Sequence, residues 1–172
     1  METWTTICSR RNVRAFTEEP IAPRDLDRIL EAGWRSPSSN NEQRWDLVVC
    51  RDRRQLEQLS KAWTWAEHVA HAAAAIVVLA PSAAGEFVEF DLGQLTMSML
   101  LAATDLGIGT CHSAIGDQEL VRTVLGNPEG RVAVAMISLG FPADRPLRPI
   151  ARPNRRLFDE VVHRGHWVDT AP

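Results

Sequence analysis

Residues 86–106 read EFVEFDLGQLTMSMLLAATDL and form the longest helix that the sequence predicts. Apolar residues recur on nearly every side of this helix, so few positions are left for solvent. A helix of this composition is buried, either inside a domain or between subunits. Gly93 and Ala102 are small enough to let a second element pack closely against it. Gly107 then ends the helix, as glycine commonly does.

Short apolar runs around this helix predict buried strands, and amphipathic runs predict shorter helices. The predicted strands cover residues 45–50, 74–80, 109–114 and 131–139. The predicted shorter helices cover residues 4–10, 23–35, 51–65 and 117–125. Residues 157–163 fit either a helical turn or an added strand. No repeat or linker divides the sequence, so we expect one domain over residues 1–172.

Composition excludes several classes of protein. The net charge of −3 lacks the basic excess of general nucleic-acid binders. The longest apolar run, residues 72–80, is too short to span a bilayer, and residues 1–4 do not begin a signal peptide. Cys8, Cys50 and Cys111 are too widely spaced for a disulfide framework or a zinc knuckle. We therefore expect a cytoplasmic protein with neither a nucleic-acid nor a membrane partner.

Three polar segments contain most of the residues that suggest a ligand site. They read SRRNVR at residues 9–14, SPSSNNEQRW at residues 36–45 and RPNRRL at residues 152–157. The planar arginine fork suits phosphate oxygens, and serine, asparagine and glutamine suit the polar edge of a heterocycle. Each segment alone is typical of a solvated helix end or a turn. Together they predict a site for a flat, phosphorylated ligand.

These segments, in this order, resemble the nitroreductase family of FMN-dependent oxidoreductases. Further matching segments are LGIGT at residues 106–110, LGNPEG at residues 125–130, LGFP at residues 139–142 and RRLFDEVVH at residues 155–163. The resemblance extends over nearly the whole chain. It implies an α+β fold in which helices flank a central mixed, mostly antiparallel sheet. It also implies an intertwined homodimer with two FMN sites at its interface, the proline-rich residues 143–153 forming an arm around the partner.

The resemblance implies a phosphate site built from both ends of the chain. Arg10, Arg11 and Asn12 would meet the FMN phosphate and ribityl chain. Arg155, together with Arg156, would complete the phosphate site. Asn12 stands where the family frequently has serine, and both residues are polar.

The resemblance also assigns residues to the flavin ring. Arg14 would lie near the pyrimidine edge, where a cation stabilises the negative charge that reduction places on the ring. Gln43 would hydrogen-bond the ring edge. Backbone N–H groups of the segment that contains Ser113 and Ala114 would reach the ring nitrogen that exchanges hydride. The residues expected to approach the same flavin from the other subunit are Pro37, Ser38, Ser39 and Asn41.

Other patterns are interpreted without a role in chemistry, or leave alternatives open. Residues 107–109 read GIG, but they follow a helix rather than opening one, which argues against a dinucleotide loop. His68 and His71 lie at helical spacing without a third metal ligand, so we expect ordinary surface or capping histidines. Trp63 and Trp65 fit a pocket wall and a plain core equally well.

The predicted function is hydride transfer from NAD(P)H through FMN to an electron-poor acceptor, such as a nitroaromatic or a quinone, with ping-pong kinetics. Two alternatives remain open. The first is a flavin-binding storage or sensing protein with little turnover, because a chain this short for its family would lack insertions that shape a substrate pocket. The second is a family member specialised for one reaction, such as reductive dehalogenation or flavin breakdown.

Overall fold

A four-stranded antiparallel sheet forms the centre of the fold in a computed structural model, which describes residues 1–83 and 87–167. The strands lie in the order β1-β2-β4-β3. They are β1 (Asp46–Cys50), β2 (Ala74–Pro81), β3 (Gly109–Ser113) and β4 (Arg131–Gly140). The helices are α1 (Thr3–Ser9), α2 (Pro23–Trp34), α3 (Arg53–Leu59), α4 (Val88–Asp105), α5 (Gln118–Leu125) and α6 (Phe158–Val161).

Strand β2 is covered on both faces, because its side chains alternate between two hydrophobic cores. Ile76 and Val78 point into a core shared with α2 and α4. Val77 and Leu79 point into a second core shared with α3 and α5. The predicted buried strand and the predicted flanking helices are therefore confirmed, and the arrangement is a three-layer α+β fold.

Helix α4 has one buried side and one exposed side, although its sequence is apolar nearly all round. Leu95 and Met99 are buried in the core that α4 shares with α2. Phe90 is 69% exposed and Met97 is 44% exposed on the other side. The predicted start of this helix, at residue 86, lies outside the described residues.

No helix among the described residues is long and apolar enough to cross a membrane.

Residues 12–17 lie against the ends of β3 and β4. They anchor residues 9–14, called here the first arginine segment, to the sheet. Asn12 forms a parallel bridge with Thr110, and the N–H of Val13 donates to the carbonyl oxygen of Thr110 at 2.9 Å. Phe16 forms an antiparallel bridge with Pro142. One parallel bridge beside an antiparallel ladder agrees with the predicted mixed, mostly antiparallel sheet.

The helix predicted for residues 51–65 is too long. Helix α3 ends at Leu59 and is followed by the single 3-10 turn Ser60–Ala62. The carbonyl oxygen of Ala62 accepts the N–H groups of Gly116 and Asp117, at 2.8 and 3.0 Å, so it is not available to continue a helix. Trp63 is extended, with φ −153° and ψ 138°. A tertiary contact with residues more than fifty positions later therefore ends the helix.

One open prediction near the C-terminus is decided by the structure. Residues 157–163 contain the helical turn α6 and no strand. Residues 143–153 contain neither helix nor strand, as their proline content predicts. The N–H of Ile150 donates to the carbonyl oxygen of Cys8 at 3.0 Å, so this segment lies against the end of α1.

The contact between residues 12–17 and the sheet predicts a strict size limit at Gly109. A Cβ atom at Gly109 would lie 2.7–2.9 Å from the side chain of Val13, which is fully buried. We expect Gly109→Ala to lower the free energy of unfolding by about 1–3 kcal/mol, measured by urea denaturation. The matched control is Gly130→Ala, where a Cβ atom meets nothing within 4 Å and the expected change is below about 0.5 kcal/mol. Equal losses in the two variants would contradict this size limit.

Candidate functional site

Arg10 and Arg155 line one cavity of about 590 Å³, although they are far apart in the sequence. Arg10 follows the last residue of α1, and Arg155 lies in the irregular segment before α6. The hydrogen bond between Ile150 and Cys8 holds that segment beside α1. The fold therefore brings together two of the arginines for which the sequence predicts phosphate binding.

The other two arginines predicted to bind the phosphate, Arg11 and Arg156, hydrogen-bond within the chain, as Arg155 does to the carbonyl oxygen of Asn154 at 2.6 Å. The guanidinium of Arg11 donates to Asp144 at 2.7 Å and to the carbonyl oxygen of Arg145 at 2.6 Å. Hydrogen bonds from Arg11 and from the backbone of Arg145 lower the pKa of Asp144. Arg156 donates to the carbonyl oxygen of Glu160 at 3.1 Å. The Nε of Arg11 is buried and has no protein partner among the described residues.

Arg14 lines a separate cavity of about 460 Å³ together with Trp65, Glu67, His68 and His71. Trp65 is 75% exposed, so the structure favours the pocket wall over the core for this ring. Asn12, between the two arginines Arg10 and Arg14, is exposed, and its side-chain oxygen lies 3.4 Å from the Arg10 guanidinium.

Trp63 differs from Trp65 in its surroundings. Its ring packs over Gly116, where an added Cβ atom would lie 2.8 Å from the ring. The ring is partly exposed and does not line the Arg14 cavity. Of the two tryptophans, Trp65 is therefore the one positioned to contact a ligand.

The polar loop, residues 36–44, has an unusual backbone. Asn40, Asn41 and Gln43 have φ angles of 52°, 57° and 49°. Such left-handed conformations are uncommon for residues other than glycine and gather at functional sites. The hydroxyl oxygen of Ser38 accepts the N–H of Gln43 at 3.0 Å, and the Gln43 side-chain amide donates to the carbonyl oxygen of Asn41 at 3.1 Å. Pro37, Asn41 and Gln43 are exposed.

Asp91 anchors this loop, and the sequence analysis missed it. Its carboxylate accepts the backbone N–H of Ser39 at 3.0 Å, and the Ser39 hydroxyl lies 3.5 Å from the other carboxylate oxygen. Asp91 is buried in the first turn of α4. The signal in the sequence is a carboxylate inside an apolar helix, which needs a buried hydrogen-bonding partner.

Arg44 is paired within the same loop. Its guanidinium lies 2.6 Å from the carboxylate of Glu42, and both side chains are partly exposed. Among the described residues, neither the Arg10 cavity nor the Arg14 cavity is lined by a residue of the polar loop. One copy of the chain therefore keeps the predicted loop residues apart from the predicted arginine residues.

His68 contradicts the expectation of a surface or capping histidine, because it is only 7% exposed. Its ring lies between Ser113, at the end of β3, and Ser138 of β4. Local spacing could not reveal this, since both serines come much later in the sequence. Ser113 is buried, and the following Ala114 is exposed. Burial lowers the pKa of His68, and the positive charge of Arg14 lowers it further.

Comparison with known proteins places the chain in a family. The Nitroreductase family model matches residues 7–66 and 55–141. A protein of Archaeoglobus fulgidus named "Putative NADH dehydrogenase/NAD(P)H nitroreductase" is 34% identical over 170 residues, which cover 94% of this chain and 96% of that protein.

Solved structures agree with this match. A crystal structure of a protein with that same name from Bacteroides thetaiotaomicron is 26% identical, with a TM-score of 0.83 over 94% of this chain and 96% of that one. The structure of NADPH:FMN oxidoreductase from Vibrio harveyi complexed with NAD+ is 25% identical, with a TM-score of 0.80 over 96% of this chain and 78% of that one.

The anchoring of the polar loop is tested by Asp91→Ala. We expect the free energy of unfolding to fall by about 1–3 kcal/mol, because the variant leaves the partly buried N–H of Ser39 without its acceptor. The control is Glu89→Ala, which removes an exposed carboxylate from the same first turn and so corrects for the helix dipole. A loss no larger than that of the control would show that Asp91 does not anchor the loop.

Proposed function

The chain belongs to the nitroreductase family, and we propose that it is an oxidoreductase that binds FMN and transfers hydride from NAD(P)H to an electron-poor small molecule. The observation that carries the proposal is the cavity shared by Arg10 and Arg155, with Arg14 four residues further along the same segment. The Vibrio harveyi relative, whose name includes NADPH and FMN, supports the choice of cofactor and electron donor.

The donors of the first arginine segment fit a phosphorylated ligand. Two guanidinium groups on one cavity suit phosphate oxygens, which accept charge-assisted hydrogen bonds. The polar atoms that are buried without a protein partner among the described residues include the hydroxyls of Ser9 and Thr110 and the Nε of Arg11. Leaving such groups unsatisfied costs about 1–3 kcal/mol each. All three belong to residues 9–14 or to the strand beside them, so a phosphate and a polyhydroxyl chain bound there would supply partners.

FMN, when bound, would supply the redox chemistry, and the residues of the chain would orient it and set the local charge. Arg10 and Arg155 would hold the phosphate, with Arg11, Asn12 and Arg156 beside them. Arg14 would stabilise negative charge at the pyrimidine edge. The backbone N–H groups of Ser113 and Ala114 would face the ring. Gln43 would hydrogen-bond the ring edge. The residues that would approach from the partner subunit are Pro37, Ser38, Ser39 and Asn41.

NAD(P)H and the acceptor would use the same cleft in turn, which gives ping-pong kinetics. The exposed ring of Trp65 offers a face on which a flat nitroaromatic or quinone can stack. The positive charge of Arg14 in the same cavity favours electron-poor molecules that carry nitro or quinone oxygens.

We also propose that two copies of the chain form the enzyme. Trp4, Ile7, Phe90 and Met97, defined here as the α1/α4 patch, are exposed apolar side chains on two neighbouring helices. Trp4, Ile7 and Met97 also line the cavity that contains Arg10 and Arg155, and exposed apolar side chains of this kind are typical of a protein interface. Phe158 in α6 is exposed as well, which suits an arm that packs on the partner. In such a homodimer the polar loop of one copy would reach the flavin of the other.

We interpret residues 1–172 as one domain, because both hydrophobic cores include strand β2. Cys8, Cys50 and Cys111 are free, which suits a reducing cytoplasm.

The proposal is tested first by the visible absorption spectrum of the purified protein, before and after NADPH is added under argon. Flavin peaks that bleach on addition, and return with a nitroaromatic or a quinone, are the expected result. Peaks that persist would favour a flavin-binding protein with little turnover. A protein without flavin peaks after incubation with FMN and removal of the excess would contradict FMN binding.

Separate roles for Arg10 and Arg14 predict different effects of their loss. We expect Arg10→Ala to weaken FMN binding roughly 10- to 100-fold, because a charge-assisted hydrogen bond contributes about 1.5–3 kcal/mol. We expect FMN bound to the Arg14→Ala variant, measured at saturating FMN, to have a lower reduction potential than FMN bound to the wild-type protein. Arg24→Ala is the control, since that side chain is 88% exposed on α2. An unchanged potential in Arg14→Ala would exclude its role at the ring.

The proposed dimer predicts that a charge in the α1/α4 patch separates the subunits. We expect Phe90→Asp to shift the protein from dimer to monomer in sedimentation analysis, because an aspartate buried in an apolar interface is costly. The control is Val134→Asp, an exposed apolar residue of strand β4 outside the patch, which should stay dimeric. A wild-type monomer, or an unchanged dimer in Phe90→Asp, would contradict this interface.

A further inference from the structure

A buried chain of hydrogen bonds lies beside the Arg14 cavity, and the proposed function gives its central residue no role. The Nε2 of His68 lies 3.2 Å from the hydroxyl oxygen of Ser113, and its Nδ1 lies 3.0 Å from the hydroxyl oxygen of Ser138. The Ser138 hydroxyl donates to the carbonyl oxygen of Cys111 at 3.2 Å. The four residues are all buried, and the His68 ring also lines the cavity.

The direction of each bond in this chain follows from counting protons. A serine hydroxyl has one proton, and Ser138 gives its proton to the Cys111 carbonyl, which can only accept. Because Ser138 has only this one proton, its contacts with Cys111 and His68 are both hydrogen bonds only when His68 donates from Nδ1. A neutral ring with its proton on Nδ1 has a bare Nε2, which accepts the proton of the Ser113 hydroxyl. In that arrangement the tautomer of His68 and the orientation of the Ser113 hydroxyl are set together.

The surroundings of His68 favour the neutral ring. Burial is the larger cause of its lowered pKa, and the positive charge of Arg14 is the second. Glu67 and His71 line the same cavity, and burial raises the pKa of the thiol of Cys111, whose carbonyl oxygen ends the chain of bonds. Since the folded-state pKa of His68 lies below its unfolded value of about 6.5, the stability that the neutral ring contributes is present above that pH. That stability is lost as the pH falls.

We propose that His68 is a positioning residue whose neutral ring holds the Ser113 hydroxyl as a donor to Nε2, and whose protonation reverses that bond and adds a positive charge beside Arg14. Protonated His68 donates from both ring nitrogens. The bond to Ser138 then stays as it is, whereas Ser113 becomes an acceptor and its own proton is free for another partner. Only the Ser113 hydroxyl needs to rotate.

The effect on the cofactor rests on the proposed function. If Arg14 and the segment after Ser113 border the flavin, protonation of His68 places a second cation near the ring. A cation there favours the reduced, more negative ring, so the reduction potential should respond to the titration of His68. His68 acts through Ser113 and through its charge, not by contact with the reacting atoms.

The tautomer is tested by nitrogen NMR of the protein labelled with ¹⁵N-histidine, without added FMN, over about pH 5 to pH 8. The signal pair that disappears in His68→Gln is assigned to His68. At neutral pH this pair should show a protonated Nδ1 and a bare Nε2. Its titration midpoint should lie below the ordinary histidine value of about 6.5. Ser138→Ala should remove the preference for the Nδ1 proton, and His71→Gln should leave the pair unchanged. A protonated Nε2 at neutral pH, or an ordinary midpoint, would overturn the proposal.

The link to the cofactor is tested by the flavin reduction potential of the holoprotein over the same pH range. The wild-type protein and His71→Gln should show a change of slope at the His68 midpoint, and His68→Gln should lack it. An identical profile in His68→Gln would overturn the link. A protein with the expected NMR signals that binds no FMN would contradict the proposed function and support the positioning role of His68 within the chain.

Discussion

Strand β2 has to be covered on both faces, and the rest of the fold follows from this requirement. Its side chains alternate between two cores, so neither face can be left to solvent. Helices α2 and α4 cover one face, and α3 and α5 cover the other. Helix α4 is apolar nearly all round, but it covers the sheet with only one of its sides. Its other apolar side, which contains Phe90 and Met97, is therefore exposed. The central strand thus explains both the layered core and the position of the α1/α4 patch.

The residues proposed to bind the cofactor lie where the sheet ends, because two glycines let a further segment pack there. Added Cβ atoms at Gly109 and Gly140 would each lie 2.7 Å from side chains of residues 12–17, namely Val13 and Phe16. With those contacts the first arginine segment has a fixed place beside β3. Arg10 and Arg14 then face two different cavities although they are four residues apart. The packing of this backbone beside β3, rather than the clustering of arginines in the sequence, therefore separates the two parts of the proposed site. One part would bind the FMN phosphate and the other would bind the flavin ring.

Local patterns could predict most of the fold and only part of the candidate site. The strands and α4 follow from apolar periodicity within each segment, so their prediction needs no tertiary information. The early end of α3 depends on Ala62 bonding to Gly116, and the burial of His68 depends on serines 45 and 70 residues later. The ion pair of Arg11 with Asp144 spans 133 residues. Family resemblance identifies Arg11 in the sequence but does not give its partner in this chain.

Two features of one copy are energetically unfavourable when it is alone. The polar loop holds three non-glycine residues in left-handed conformations, each of which costs of order 1–3 kcal/mol. The α1/α4 patch leaves large apolar side chains in water. Asp91 connects the two features, since it lies in α4 next to Phe90 and holds Ser39 of the loop. Burial of the patch against a second copy would therefore fix α4 and, through Asp91, the strained loop. Dimerisation and completion of the flavin site would then be the same event, stabilised by the same apolar contact.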